Sequence, residues 1–323
     1  MTTTRRAFTA GCLIAALPGA ARAQAYPAQP LRMIVPFTPG GGTDILTRLL
    51  TNKMTALAGW AFVVDNKPGA GGGIGLEAIA KAKPDGLTLG MGQTANLAIN
   101  PTLYPKLPYD PLTQIQPVAL VASQPAILVV RQDSPHRTLA DVVAAARAKP
   151  GTLTMASAGS GTVQHLTGEL FAKQAGITLV HVPYRGSAPA LTDTLGGQTD
   201  LAFTNPPSAM PMLKSAKMRA LAITSRQRLP LLSDVPTVAE SGYPGFEAGD
   251  WKGVVAPMGV PAALVERLNA EVNRALRDPE LVQRLQEEGS EAMGGTPEEF
   301  ARFLKAEHGR WGDVVRETGA KPD

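Results

Sequence analysis

The 323-residue sequence holds a single cysteine, Cys12. The chain beyond residue 23 therefore contains no disulfide, thiolate nucleophile or cysteine-based metal site. Aromatic residues make up 5%, too few for a stacking platform on single-stranded nucleic acid. Charge of one sign is equally scarce. The formal net charge is +4, but Arg5, Arg6 and Arg22 lie in the first 23 residues, which hold no acid. Beyond them 28 basic residues face 27 acidic ones, and a chain so nearly neutral has no long-range field for DNA, RNA or anionic lipid. No later segment approaches the roughly 18 uninterrupted apolar residues of a membrane-spanning helix.

Catalytic and cofactor signatures are missing as well. A G-x-G-x-x-G dinucleotide fingerprint fails in every Gly cluster, and G-x-x-x-x-G-K-[ST] does not occur. A G-x-S-x-G elbow would need Gly at 158, where Ala158 stands. The four histidines, His136, His165, His181 and His308, show neither H-x-x-x-H nor H-E-x-x-H spacing, and no carboxylate pair is marked for acid–base work. No cofactor and no metal are expected.

What is present describes a folded, exported protein. Hydrophobic residues at 44% and charged residues at 18% exclude disorder, and the length suffices for one large or two ordinary domains. Residues 1–23 read as an export signal. Arg5-Arg6 precedes an apolar stretch, and Ala21-Arg22-Ala23 fits a small-x-small cleavage site, so cleavage is expected after Ala23 and a periplasmic location follows. The paired arginines fit a twin-arginine signal and also an ordinary secretory leader.

Strand-like and helix-like patterns then alternate. Strands are predicted at 31–37, 62–66, 87–92, 126–131, 153–159, 179–184, 200–204, 219–224 and 251–257. Helices are predicted at 44–57, 74–82, 138–148, 163–176, 188–196, about 261–277, 279–288 and 297–316. Such alternation implies an α/β fold with largely parallel sheets.

One arrangement occurs twice: strand, Gly/Ser/Thr loop, helix. The loops are TPGGGTD (38–44) and AGSGT (158–162). At a helix start several backbone N–H groups lack partners and the aligned peptide dipoles add partial positive charge. Glycine lets an anion approach that backbone closely. Two such loops, one per lobe, would grip a carboxylate across a cleft, at the carboxyl ends of the strands where ligands of open α/β sheets sit. Thr43 and Thr162 read as N-caps, and Asp44 as a carboxylate that offsets the dipole or orders a water at the ligand. The alternative is that these glycines only make tight turns.

Seven strings in order give the chain a resemblance to a known family. They are PFTPGGGTD (36–44), VVDNKPGAGGGIG (63–75), KPDGLTLGMG (83–92), SAGSGTVQHLTGELF (157–171), HVPYRGSAPALTDTLGGQTD (181–200), LPLLSDVPTVAESGYPGF (229–246) and WKGVVAPMGVP (251–261). The chain resembles the substrate-binding proteins of tripartite tricarboxylate transporters, the periplasmic Bug receptors, over nearly all of 24–323. The resemblance implies a two-lobed, type II-like periplasmic-binding-protein fold, each lobe a mostly parallel sheet flanked by helices. Lobe one would take 24–124 and 225–323, and lobe two 125–224.

It further implies binding of a small carboxylated solute through main-chain and hydroxyl groups, hinge closure, a monomer, and delivery to membrane permease subunits. Carried over by position, the first loop offers Phe37, Gly40, Gly41, Thr43 and Asp44, and the next Gly71 and Gly72. The second lobe offers Ser157, Gly159, Ser160, Gly161, Thr162 and His165. Further cleft positions are Thr94, Asn96, Thr204 with Asn205, and Tyr184 with Arg185, the last as a charge partner. Lys252 departs from the family pattern and brings a charge near the hinge. An exported enzyme acting on a small organic acid, and a ligand sensor for a membrane signalling partner, are the alternative functions.

Overall fold

The computed structural model describes residues 26–322. The export-signal reading, with cleavage after Ala23, lies outside them. The first lobe opens with β1 (Leu31–Val35), α1 (Gly42–Ala58), β2 (Phe62–Asn66), α2 (Gly73–Ala80) and β3 (Thr88–Gln93). A π-helical turn at Ala95–Ile99 enters the short α3 (Asn100–Leu103), and β4 (Ile115–Pro125) follows. The chain crosses at Ala126 into β5 (Ile127–Arg131), α4 (Leu139–Ala148), β6 (Thr154–Ser157), α5 (Val163–Ala175) and β7 (Val180–Pro183). There follow α6 (Ser187–Leu195), β8 (Leu201–Thr204), α7 (Pro206–Lys214) and β9 (Met218–Ile223). It ends with β10 (Gly249–Pro257), α8 (Ala262–Leu276), α9 (Pro279–Glu287), β11 (Glu291–Ala292) and α10 (Pro297–Thr318).

Two sheets result, ordered β11-β4-β10-β3-β1-β2 and β7-β6-β8-β5-β9. Both follow one plan. Three strands are parallel, β1 to β3 in the first sheet and β6 to β8 in the second. Beside them lies one reversed strand, β10 or β5. Next comes β4 or β9, antiparallel to the reversed strand and so aligned with the parallel set. Each reversed strand enters its sheet directly after a crossing from the other lobe. The fold is α/β and two-lobed, and its parallel strands deliver their carboxyl ends to the space between the lobes.

Periodicity leaves β4 and α7 unassigned, and proline is the reason in both. In β4 Pro117 stands opposite Val255 beside a bulge, where a missing N–H is tolerated. In α7 Pro206 and Pro207 occupy the first turn, whose N–H groups need no intrahelical partner. A different kind of departure concerns 225–248, expected with lobe one. Val238 N–H donates to Ile223 O at 2.8 Å, Thr237 bridges Ile223 in parallel, and Tyr243 and Phe246 pack edge-on against Phe171 of α5. The chain leaves β9 at the edge of the second sheet and pairs with that edge before returning.

Apolar burial joins the lobes as well as filling them. One cluster packs α1, α8 and α9 on a face of the first sheet. Another runs from Ile34 and Leu97 through Phe300, Leu304 and Trp311 of α10 to Leu128, Phe171 and Phe203 of the second lobe. The buried Glu307 carboxylate accepts hydrogen bonds from both Trp251 Nε1 (2.8 Å) and Trp311 Nε1 (2.9 Å).

At the crossings, Thr224 ties three segments together. Its Oγ1 accepts from Ala126 N–H at 2.8 Å and donates to Ala248 O at 2.6 Å. Its own N–H donates to Ala126 O at 3.0 Å, and Ala248 N–H donates back to Thr224 O at 3.0 Å. Thr224→Val keeps the volume but leaves the Ala126 N–H without an acceptor. It is expected to lower the unfolding free energy by about 1–3 kcal/mol, measured by urea titration; an unchanged midpoint would contradict the tie.

Candidate functional site

The carboxyl ends of the strands meet at a cavity between the lobes. From the first lobe it is lined by Phe37, Gly41, Gly42, Thr43 and Gln93, with Asp250 of β10. From the second lobe come Ala158, Gln164, Ser187 and Asn205. Among the described residues no lysine or arginine lines it. Its volume is about 10 Å³, room for about one water, so a solute with a carbon skeleton enters only when the lobes separate.

Four helices start at this cavity. Gly42 and Thr43 are the first residues of α1, Gln164 the second of α5, Ser187 the first of α6, and Asn205 caps α7. Free N–H groups of α1, α5 and α6 and the positive ends of four peptide dipoles are therefore brought to one point; α7 opens with Pro206 and Pro207 and adds its dipole alone. Two were expected from the Gly-rich loops; α6 and α7 supply the others.

Both loops border the cavity, and each touches the opposite lobe. Tyr104 Oη donates to Ser160 O across the cleft at 3.3 Å. A Cβ on Gly42 would overlap the Asn205 amide, one on Gly71 would lie 2.6 Å from Ser160 O, and one on Gly161 2.6 Å from Asn100 Oδ1. Gly159 has φ +130°, and a Cβ there would lie 2.8 Å from Tyr184 O. Its requirement for glycine is thus conformational and steric at once.

Among the expected residues, Phe37, Gly41 and Thr43 line the cavity. Thr43 is not the cap of α1: three glycines let the helix begin at Gly42 with Gly41 as N-cap, and Thr43 Oγ1 donates to Gln93 Oε1 at 2.6 Å. Gly40 is exposed and donates its N–H to Asp44 Oδ2 at 3.0 Å. Asp44 is buried behind the loop, where Arg48 Nε and Asn66 Nδ2 also donate to it. Burial alone would raise its pKa, but the bonds from Arg48, Gly40 and Asn66 outweigh it and hold the carboxyl below the usual range. Asp44 therefore fixes the loop from outside the cavity. Gly72 packs on Phe37 and Asn96. Asn96 Oδ1 accepts from Gln93 N–H at 3.0 Å, while its Nδ2 is buried without a hydrogen bond.

Thr94 lies outside the cavity because its hydroxyl is engaged with the Trp251 backbone, accepting from the N–H at 2.9 Å. Thr204 is buried with a free hydroxyl, one residue before Asn205. Tyr184 Oη donates to Asp193 at 2.8 Å, and Arg185 is exposed; neither lines the cavity, since the chain has turned outward before α6 begins.

In the second lobe the predicted residues mostly hold one another. Thr162 caps α5, accepting from His165 N–H at 3.3 Å and donating to Gly159 O at 2.6 Å. Gly161 N–H donates to His165 Nδ1 at 3.2 Å. Ser157 Oγ accepts from Gly159 N–H at 3.1 Å and stands 2.6 Å from His181 Nε2. The two imidazoles stack with centroids 3.9 Å apart. Burial, and then the neighbouring His181, push the His165 pKa down to about 3. Among the described residues no group of three His, Cys, Asp or Glu stands ready for a metal ion.

Gly42 and Ala158 fall within the two expected loops; the cavity residues not foreseen are Gln93, Gln164, Ser187 and Asp250. Three of these sit at a strand end or a helix start, a position that periodicity marks only to within a few residues. Asp250 is different. It lies 2.7 Å from Lys252 Nζ through Oδ2, and both side chains are almost fully buried. The one trace of it in the sequence is Lys252, two residues on, in an otherwise apolar strand.

Comparison with known proteins places this geometry. The model of the tripartite tricarboxylate transporter family receptor matches residues 46–320. Protein BugT of Bordetella pertussis is 39% identical over 300 residues, covering 93% of this chain and 92% of its own. A solved periplasmic transporter is 41% identical with a TM-score of 0.89, covering 93% of this chain and all of its own. R. palustris Rpa4515, solved with adipate, is 37% identical with a TM-score of 0.90, over 92% of this chain and 100% of its own. MatC from Rhodopseudomonas palustris, solved with bound malate, is 34% identical with a TM-score of 0.85, over 90% of this chain and 100% of its own.

The buried His165 gives the folded state an acid sensitivity. Its pKa is about 3 when folded against an ordinary 6.5, so below pH 6.5 the unfolded chain takes up a proton that the folded one refuses. Stability then falls with pH by about 1.4 kcal/mol per unit from this group, until the folded state protonates near 3. The difference between wild type and His165→Gln, measured by urea unfolding from pH 7 to 4, is expected to show that slope. Parallel curves would contradict it.

Proposed function

The chain belongs to the tripartite tricarboxylate transporter receptor family, and we propose that it captures a small carboxylate-bearing solute between its lobes and delivers it to the membrane permease subunits of such a transporter. The observation that carries this reading is the convergence of four helix N-termini on a cavity with no lysine or arginine in its lining. Each such terminus favours an anion by up to about 2 kcal/mol when partly buried. A carboxylate offers acceptor oxygens to N–H groups from both lobes. The neighbours solved with adipate and malate support this solute class.

Binding follows from closure. The solute enters the separated lobes, and its oxygens take N–H bonds from α1 on one side and from α5 and α6 on the other, while α7, which opens on two prolines, contributes its dipole alone. Only the closed arrangement makes both sets, and this differential affinity drives the lobes together. Delivery requires a partner that binds the closed form and favours reopening. The protein acts as a periplasmic monomer released by cleavage after Ala23. It is a receptor rather than an enzyme: most of the polar groups around the cavity are committed to capping helices and bracing loops, which suits holding an anion.

The reading is tested with refolded protein, freed of copurified solute. A panel of mono-, di- and tricarboxylates is screened by thermal unfolding and calorimetry. A true solute at a hundredfold excess over Kd stabilises by about 2.7 kcal/mol; a panel without any shift would overturn the proposal. Gly42→Ala places a Cβ against Asn205 and holds the lobes apart. It is expected to weaken the best solute at least tenfold by calorimetry, and unchanged affinity would contradict closure at this contact.

A further inference from the structure

A second polar feature of the cavity is not explained by anion binding. Asp250 lines it and places a carboxylate where four helix N-termini collect positive potential. Its side chain is 3% exposed and Lys252 1%. Burying an ion pair is costly unless the remaining lone pairs and protons are satisfied. Here the bonding is one-sided: Oδ2 accepts from Lys252 Nζ, while Oδ1 is buried and has no hydrogen-bond partner. Leaving such an acceptor unmet is unfavourable, more so for a charged group.

We propose that Asp250 Oδ1 reads a neutral hydrogen-bond donor on the solute, so that the preferred solute carries a hydroxyl beside its carboxylate. The inference rests on the receptor reading above and sharpens its solute class. The reasoning is one of charge placement. The helix starts accept the carboxylate end, whereas Asp250 repels a second carboxylate and accepts only a donor. Lys252 already balances the Asp250 charge. An ammonium would add an uncompensated buried cation and a hydroxyl adds none. An acid without either group leaves Oδ1 unmet. Sites built around a buried polar partner discriminate strongly against solutes that lack the matching group.

The residue thus sets specificity without being needed to hold the anion. Lys252 acts through it as a positioning residue: the 2.7 Å bond at Oδ2 fixes the carboxylate plane. The cross-strand neighbour Gln124 accepts from Ser290 Oγ at 2.8 Å through Oε1, and its Nε2 is buried without a hydrogen bond, so it makes none to Asp250 Oδ1.

The test is calorimetry on refolded protein with matched triplets: a parent acid, its 2-hydroxy form and its 2-amino form, on short aliphatic skeletons. On the best skeleton the hydroxy acid is expected to bind at least tenfold tighter than the parent, about 1.4 kcal/mol, and tighter than the amino acid. Asp250→Asn alone strands the Lys252 charge and risks misfolding. The double variant Asp250→Asn/Lys252→Gln removes both charges at similar volume. With its fold checked by circular dichroism, its affinity ratio of hydroxy acid over parent is expected to shrink to about twofold. Equal wild-type affinity for parent and hydroxy acid would overturn the inference. So would a tighter amino acid, or a folded double variant that still discriminates. If no acid of any triplet bound, the receptor reading would fall and take this inference with it.

Discussion

The unpartnered N–H groups at three of the four helix starts in the cleft are the constraint on which the rest of the structure depends. They arise wherever a helix begins and need an acceptor from somewhere. In some helices a side chain supplies it, as Thr138 does for α4 and Thr296 for α10, and as Thr162 and Asn205 do for α5 and α7 at the cleft. The other two helices of the cleft differ. α1 starts from Gly41 and α6 from Gly186, neither with a side-chain cap. Glycine at these two positions leaves the backbone bare, which is what an external acceptor requires. The doubly wound plan of each sheet then brings these starts to one place.

Recognition by backbone explains why so much of the surrounding chemistry is structural. Asp44, Ser157, Thr162 and His165 are polar, buried and close to the cleft, yet their bonds run to loop backbone and to neighbouring side chains. They shape the loops that present the N–H groups. The buried His165 serves here as scaffolding, its pKa pushed down chiefly by its own burial. Asp250 and Lys252 stand apart from this pattern, since their charges balance within the first lobe and still leave one carboxylate oxygen turned to no partner.

Much of this was legible in the residues. The alternation of elements and the two Gly-rich loops follow from short apolar runs with turn residues between them. Legibility failed where proline sits in an element that tolerates it, as in β4 and α7. It failed again where two distant positions meet: nothing local links Gly42 to Asn205, or Asp250 to Ser187. Positions such as Ser187 and Gln164 were near reach, each lying a step or two from a junction already noted. Glycine in a loop also reads alike whether it turns the chain, as Gly40 does, or exposes backbone, as Gly41 does. Only the neighbouring lobe separates the two.

Thr224 bears on how the halves of the molecule move. The outgoing strand at Ala126, the incoming one at Thr224 and the return at Ala248 are hydrogen-bonded into one band. The bonds brace them against twisting separately, and a closure that keeps these bonds would swing the lobes about a common axis, like the covers of a book on its spine. A docking protein at the membrane would then sense a single angle, and one angle is enough to tell a laden carrier from an empty one.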